Sequence, residues 1–193
     1  MSGGFELNNG ADPAVRKQRP MLMLANALLL LFFGTLAYFF IYKEVRFFKV
    51  PSSSMVPTLL LGDQIITMSR PEYHRGDIVV VWDEADAEHL VKRIGGVGGD
   101  EIYIEGGALY INGKFASEPY IAEPMLYDFD HFGKVPDGSY FLLGDNRNNS
   151  DDSTHTRRTY PLADIVGRVE YIYLPAARAQ PVKSYPLTNT AGE

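Results

Sequence analysis

The chain of 193 residues contains no cysteine. That excludes disulfides, cysteine-ligated zinc and a cysteine nucleophile, and leaves the compartment open. It also lacks an excess of basic charge. Lys and Arg number 18 against 24 Asp and Glu, a net charge of −6, which disfavours a nucleic-acid partner because such domains are usually basic. Histidine is scarce. His74, His89, His131 and His155 show no metal-ligand spacing, so no metal site is expected. There is no internal repeat and, beyond residue 42, no long amphipathic helical pattern. A phosphate loop is also missing: no Gly-Lys-Ser/Thr follows Gly95-Gly96-Val97-Gly98-Gly99, and these glycines read as a turn.

What the chain does have is a long apolar run over residues 21–42, with Asn26 as its only strongly polar member. At ~1.5 Å per residue it reaches roughly 33 Å, enough to cross a bilayer core. A buried core helix would carry a polar stripe, and none is visible. A cleaved signal peptide has a shorter apolar stretch followed by small residues. Here the run ends in the aromatic cluster Tyr38-Phe39-Phe40-Ile41-Tyr42, suited to a membrane interface. A retained transmembrane helix over 21–42 follows. Arg16, Lys17 and Arg19 flank it on one side, Lys43, Arg46 and Lys49 on the other, so the positive-inside rule sets no orientation. Residues 1–20 are expected to be disordered.

After the span, short β-branched runs alternate with turns. Gln64-Ile65-Ile66-Thr67-Met68 and Asp77-Ile78-Val79-Val80-Val81-Trp82 predict strands. A hairpin is predicted over residues 101–111, turning at Gly106-Gly107, with a further turn at Asn112-Gly113. Residues 139–143 and 167–173 predict later strands, and the proline-bearing stretch 117–138 a long loop. The whole indicates a mostly β fold of folded antiparallel sheets, barrel-like, over residues 43–175. Residues 176–193 read as a flexible tail.

Three segments carry chemistry. Ser54 stands in Val50-Pro51-Ser52-Ser53-Ser54-Met55-Val56-Pro57-Thr58-Leu59, between prolines that restrict the backbone. A serine hydroxyl needs a base, and a lysine serves only once its pKa falls from about 10.4 towards neutrality. Lys92 lies in Leu90-Val91-Lys92-Arg93-Ile94. On a strand, Leu90, Lys92 and Ile94 share one face that wraps the amine in hydrocarbon, while Arg93 points the other way. The Ser52 hydroxyl is placed to join the Ser54 N–H in an oxyanion hole. The third segment, Gly144-Asp145-Asn146-Arg147-Asn148-Asn149-Ser150-Asp151-Asp152-Ser153, reads as a polar clamp, with Ser150 orienting the lysine and Asp145, Arg147 and Asp152 cross-linking loops.

Taken together and in this order, the segments resemble the conserved boxes of type I signal peptidases, serine–lysine proteases that remove signal peptides from exported proteins. Residues 51–59 resemble Pro-Ser-Gly-Ser-Met-x-Pro-Thr-Leu. Gly62-Asp63 and Arg75-Gly76-Asp77-Ile78-Val79 resemble the next conserved stretch, Val91-Lys92-Arg93-Ile94 the lysine box, and residues 144–153 Gly-Asp-Asn-Arg-x-x-Ser-x-Asp-Ser. The resemblance implies Ser54 as nucleophile, Lys92 as general base, Ser52 in the oxyanion hole and Ser150 hydrogen-bonded to Lys92. It implies Asp145, Arg147 and Asp152 as supports, and Phe48, Val50, Met55, Leu59 and Val91 as lining for two shallow apolar pockets that admit small side chains, hence Ala-x-Ala cleavage. It further implies preprotein signal peptides and the lipid bilayer as partners, and no cofactor. The expected placement is a single span in the bacterial inner membrane, with residues 1–20 cytoplasmic and the catalytic domain outside. A lysine base belongs to the bacterial or organellar branch; the endoplasmic-reticulum branch uses histidine.

Three positions depart from the family pattern. Ser53 replaces a glycine, with strain expected if that turn needs positive φ. Thr154 replaces an arginine, leaving Arg157 and Arg158 as candidate partners of Asp152. Gly98 replaces a proline. Ala177-Arg178-Ala179 matches Ala-x-Ala formally and reads as coincidence. A peptidase dedicated to one conjugation or secretion system and an inactive signal-peptide-binding module share much of the pattern. The joint presence of Ser54, Lys92 and Ser150 argues against the inactive module.

Overall fold

The apolar run forms helix α1, Pro13–Tyr42. The computed structural model describes residues 13–42 and 44–187, with side chains from 20 to 39 and from 44 to 187. Residues 13–20 are therefore helical, where a disordered segment is expected from the sequence; residues 1–12 lie outside the described residues. Pro13 suits a first turn, whose N–H groups have no helical partner anyway; the helix then continues past Pro20, which stands inside it and supplies no backbone N–H. Pro20–Phe39 has mean hydropathy 2.0 and is long enough to cross a membrane, and all its side chains are exposed.

The chain divides into two units after Lys43. The second consists of β1 (Arg46–Lys49), β2 (Gln64–Met68), β3 (Ile78–Asp83), β4 (Glu88–Val97), β5 (Ile102–Glu105), β6 (Ala108–Ile111), β7 (Lys114–Phe115), β8 (Ser139–Leu143), the short helix α2 (Ser153–Thr156), β9 (Tyr160–Pro161), β10 (Ile165–Leu174) and β11 (Gln180–Pro181). An antiparallel sheet runs β1-β2-β10-β3-β4-β8-β9, with β11 added on β10; a second sheet is β5-β6-β7. The first sheet's path ends at β1 and β9 without closing, so the fold is mostly β, as expected, but not a closed barrel.

The period-2 rule explains the core. Ile78 and Val80 of β3 join Val91 of β4 in a cluster with Val50, Met55, Leu59, Ile65, Val169 and Ile172. Val79 and Val81, on the other face, join Ile94, Tyr140 and Leu142. A third cluster packs the small sheet against Phe141, Leu143 and Leu187.

Two expectations need correction. Strand β4 does not stop before the glycine run; it continues through Gly95 and Gly96 to Val97. A Cβ at Gly95 would stand 2.6 Å from Leu143 Cδ1, and one at Gly96 would collide with Ile102 Cδ1. These glycines serve close packing inside a strand, and the turn begins only after Val97. Residues 176–187 are not a loose tail. They make a 3-10 turn over Ala176–Arg178, pair as β11 and end on the buried Leu187, 2% exposed. Arg178 Nη2 donates to Asp63 Oδ2 at 2.9 Å, and Ser184 Oγ to Asp77 Oδ1 at 2.7 Å. Residues 188–193 lie outside the described residues.

Candidate active site

The loop between β1 and β2 carries Ser54. It is closed at its base, where Val50 N–H donates to Asp63 O at 2.8 Å and Gly62 N–H to Val50 O at 3.0 Å. It is pinned from within by Met55 and Leu59, both fully buried. Neighbours of Ser54 therefore supply apolar anchorage, while Ser54 itself turns a polar group into a nearly closed site, at 8% exposure.

Lys92 comes from the middle of β4, held on one edge by β3, where it pairs with Val79, and continued on the other edge by β8. Its side chain is 4% exposed, and Nζ donates to Ser54 Oγ at 2.9 Å. Burial pushes its pKa below the ordinary lysine value, opposed in part by the negative charges of Asp152, Asp151 and Glu88. No carboxylate among the described residues forms an ion pair with it. Desolvation without a close counter-charge is the physical route to a neutral amine.

Ser52 Oγ lies 3.1 Å from Ser54 Oγ and 3.5 Å from Ser54 N. Ser54 N–H points at Ser52 Oγ, so this amide and the Ser52 hydroxyl stand together beside Ser54 Oγ. Ser53 is not among the residues with positive φ, so the serine in the place of the family's glycine carries no left-handed strain. Its backbone oxygen accepts from Asn146 Nδ2 at 3.1 Å and its hydroxyl from Asn149 Nδ2 at 3.3 Å.

The segment after β8 closes the site from the other side. Asn146 N–H donates to Ser54 O at 2.9 Å. Asp145 accepts from Arg93 Nε at 2.8 Å and Arg93 Nη2 at 2.7 Å, a bidentate pair with both side chains fully buried, and from the Thr58 hydroxyl. Arg93, the strand neighbour of Lys92, is thus enclosed and paired with Asp145. Arg147 Nε donates to Gly144 O at 3.0 Å while its guanidinium is paired with Glu118. Asp152 accepts from Gly144 N–H at 2.9 Å and from Thr154 N–H and Oγ1 at 3.0 and 2.8 Å. Thr154, not a nearby arginine, is thus the partner of Asp152: Arg158 pairs with Asp83, and Arg157 lies over the Phe129 ring. Gly144 has no room for a side chain, because a Cβ would strike Ser150 and the Ser54 carbonyl oxygen.

Two further expectations differ from the structure. Ser150 is buried, yet its Oγ has no hydrogen-bond partner and makes no bond to Lys92. Phe48, Val50, Met55, Leu59 and Val91 do come together, but as one apolar cluster, and Met55 and Leu59 have no exposed surface. They line neither the 530 Å³ cavity bounded by Tyr73, Arg75 and Tyr140 nor the 350 Å³ cavity bounded by Thr58, Tyr120 and Tyr185. The residue types are apolar because they pin the loop and the strand that carry Ser54 and Lys92. Thr58, Asn146 and Glu118 support the site without having been singled out from the sequence. Thr58 sits in the Ser54 segment, next to Pro57; Glu118 lies in the long loop and has no local signal at all.

Chemically, a hydroxyl beside a desolvated amine, with a second hydroxyl and a backbone N–H next to it, holds the kinds of group that acyl transfer uses. Comparison with known proteins identifies relatives. The sequence profile described as "Signal peptidase, peptidase S26" matches residues 21–174. A probable signal peptidase I-2 of Synechocystis sp. is 41% identical over 148 residues, which cover 70% of this chain and 65% of that protein. Signal peptidase I U of Bacillus subtilis is 34% identical over 150 residues, 70% of this chain and 79% of the relative. A probable signal peptidase I-1 of Synechocystis sp. is 34% identical over 179 residues, 85% of each chain.

Proposed function

The chain belongs to the signal peptidase family, peptidase S26, and from that premise we propose that it is a membrane-anchored serine endopeptidase removing signal peptides through Ser54 and Lys92. The observation that carries this reading is the 2.9 Å contact between Lys92 Nζ and Ser54 Oγ inside a site where burial lowers the lysine pKa. Neutral Lys92 takes the proton of Ser54 as Oγ attacks the scissile carbonyl carbon. The carbonyl electron pair moves to oxygen, and the Ser54 N–H and Ser52 hydroxyl stabilise that charge. Collapse expels the amine of the mature protein, which receives the proton held on Nζ. The signal peptide remains esterified to Ser54. Lys92, neutral again, then deprotonates a water that hydrolyses the ester and restores Ser54.

Cleavage follows a small-x-small site, Ala-x-Ala, in a preprotein. Ser150 acts within the same site: its unpartnered buried hydroxyl gains a partner as substrate or a water arrives near Lys92. Met55, Leu59, Val50, Val91 and Phe48 form the apolar wall behind the substrate groove. Helix α1 spans the bacterial inner membrane once, with residues 43–175 on the extracytoplasmic side. Anchoring raises the effective concentration of a substrate that its own signal peptide holds in the same bilayer.

The test is to quench turnover of a preprotein and map the adduct by mass spectrometry. The signal peptide should be found as an ester on Ser54 and be absent from Ser54→Ala. An adduct on another residue would overturn the assignment.

A further inference from the structure

The segment that follows β11 crosses the back of the reacting pair's scaffold. Tyr185 O packs against Gly76, which has φ +87° and no space for a Cβ beneath that carbonyl. Next to it, Ser184 Oγ donates to Asp77 Oδ1 at 2.7 Å. Leu187 is sunk into the cluster that contains Phe141 and Leu143 of β8. Three anchors over four residues fix this segment on the Gly76-Asp77 turn and on the strand leading to Gly144 and Asp145.

Beneath it lies the Arg93–Asp145 pair. Arg93 Nη1 donates to Gly76 O at 2.6 Å, so the turn under Tyr185 also holds the guanidinium. The Arg93 guanidinium carbon is 3.9 Å from the Tyr120 ring centroid and 5.7 Å from that of Tyr185, whose rings are themselves 5.6 Å apart. Both halves of the site meet at this pair. Arg93 is the strand neighbour of Lys92. Asp145 accepts from the Thr58 hydroxyl of the Ser54 segment, and the N–H of its neighbour Asn146 donates to the Ser54 carbonyl. Beside the apolar cluster that pins the loop and the strand, this buried ion pair is thus a second tie between the Ser54 and Lys92 segments, and residues 182–187 complete the aromatic cover over it.

We propose that residues 182–187 are a positioning brace for the reacting pair, with Tyr185 completing the aromatic enclosure that holds Arg93 and Asp145 in register. The roles of Ser54 and Lys92 are those of the preceding reading; the brace adds a residue that touches neither. Tyr185 works through ring contact. Its removal lets water reach a pair whose rigidity depends on exclusion of water, and small errors in placing a nucleophile against its base are costly.

The test uses the full chain in detergent or lipid. Tyr185→Ala should lower kcat about tenfold with KM within about twofold of wild type, and Tyr185→Phe, which keeps the ring, should restore it. Tyr185→Leu fills the volume without the ring and should stay low; it guards against loss of folding in the alanine variant. NMR of the Lys92 Cε resonance gives a second readout that does not need cleavage: its titration should move towards that of an ordinary lysine in Tyr185→Ala and return in Tyr185→Phe. Folded variants with unchanged kcat and unchanged Lys92 titration would overturn the brace, as would a kcat loss that only follows the unfolded fraction. A Lys92 shift in a protein that cleaves no preprotein would uphold the brace and count against the peptidase reading instead.

Discussion

Two neighbouring regions of the domain treat buried polarity in opposite ways. Around residues 144–154 every buried charge is matched: Asp145 to Arg93, Arg147 to Glu118, Asp152 to Gly144 N–H and Thr154. Across Gly144, the corner formed by Ser54, Lys92 and Ser150 is left short. Lys92 has a hydroxyl in place of a carboxylate, and Ser150 Oγ has no partner. A buried polar group without partners is costly in any fold. Here the cost falls on the groups to which the proposed reaction is assigned, beside a neighbour whose buried charges are all matched. Under-satisfaction marks the reactive corner; satisfaction marks its frame.

The comparison can be broken most severely in the frame. Asp145→Ala leaves the Arg93 guanidinium buried and unpaired and should destabilise the domain by about 3–5 kcal/mol, read by urea denaturation. A loss below about 1 kcal/mol, the value of a solvated pair, would mean that the two charges are not enclosed as described. Gly144→Ala presses a methyl group into Ser150 and the Ser54 carbonyl, at the seam between frame and corner. It should cost about 1–3 kcal/mol and depress kcat by more than the stability loss explains. Equal kcat in a folded variant would show that the seam is slack.

Relieving the corner should have the opposite sign. Lys92→Met should abolish activity and raise stability at neutral pH by about 1 kcal/mol. Burial lowers the folded pKa of Lys92, whereas the unfolded value is about 10.4. Between the two, the unfolded chain binds more protons, so wild-type stability rises with pH. The penalty of the buried amine is complete below the folded pKa and gone above the unfolded one. The advantage of Lys92→Met should therefore be greatest on the acid side of the folded pKa and shrink as pH approaches about 10.4. A pH-independent difference would contradict the desolvated lysine. In wild type, kcat/KM should rise with pH through an ionisation below the ordinary lysine range and level off above it. The smallest effect is expected at Ser53→Gly. Since Ser53 needs no positive φ, glycine brings only added freedom in the unfolded chain and loss of the Asn149 contact, together under about 1 kcal/mol in a thermal melt.

Local signals in the sequence reached far into this structure. Strands β2 and β8 begin and end where their β-branched and apolar runs do, and the hairpin turns at Gly106-Gly107. Proline-bounded Ser54 and strand-borne Lys92 do meet. Apart from residues 13–20, which extend the helix, the failures are long-range. The sequence places Arg93 opposite Lys92 on the strand but does not name its partner Asp145, 52 residues away. Gly95 and Gly96 read as a turn because their reason for being glycine is contact with Leu143 and Ile102. Residues 176–187 look like a tail since Arg178 and Ser184 find their partners only across the fold, at Asp63 and Asp77. Met55 and Leu59 read as pocket lining, and both lie with no exposed surface under the loop that carries Ser54.

The most direct measurement is cleavage of a preprotein with an Ala-x-Ala junction in lipid by wild type, Ser54→Ala and Lys92→Ala, each shown to be folded. Cleavage at that junction by wild type alone, with loss of at least about 10²–10⁴-fold on removing the base, is the expected result. Cleavage that survives Ser54→Ala, with contaminating protease excluded, would contradict it.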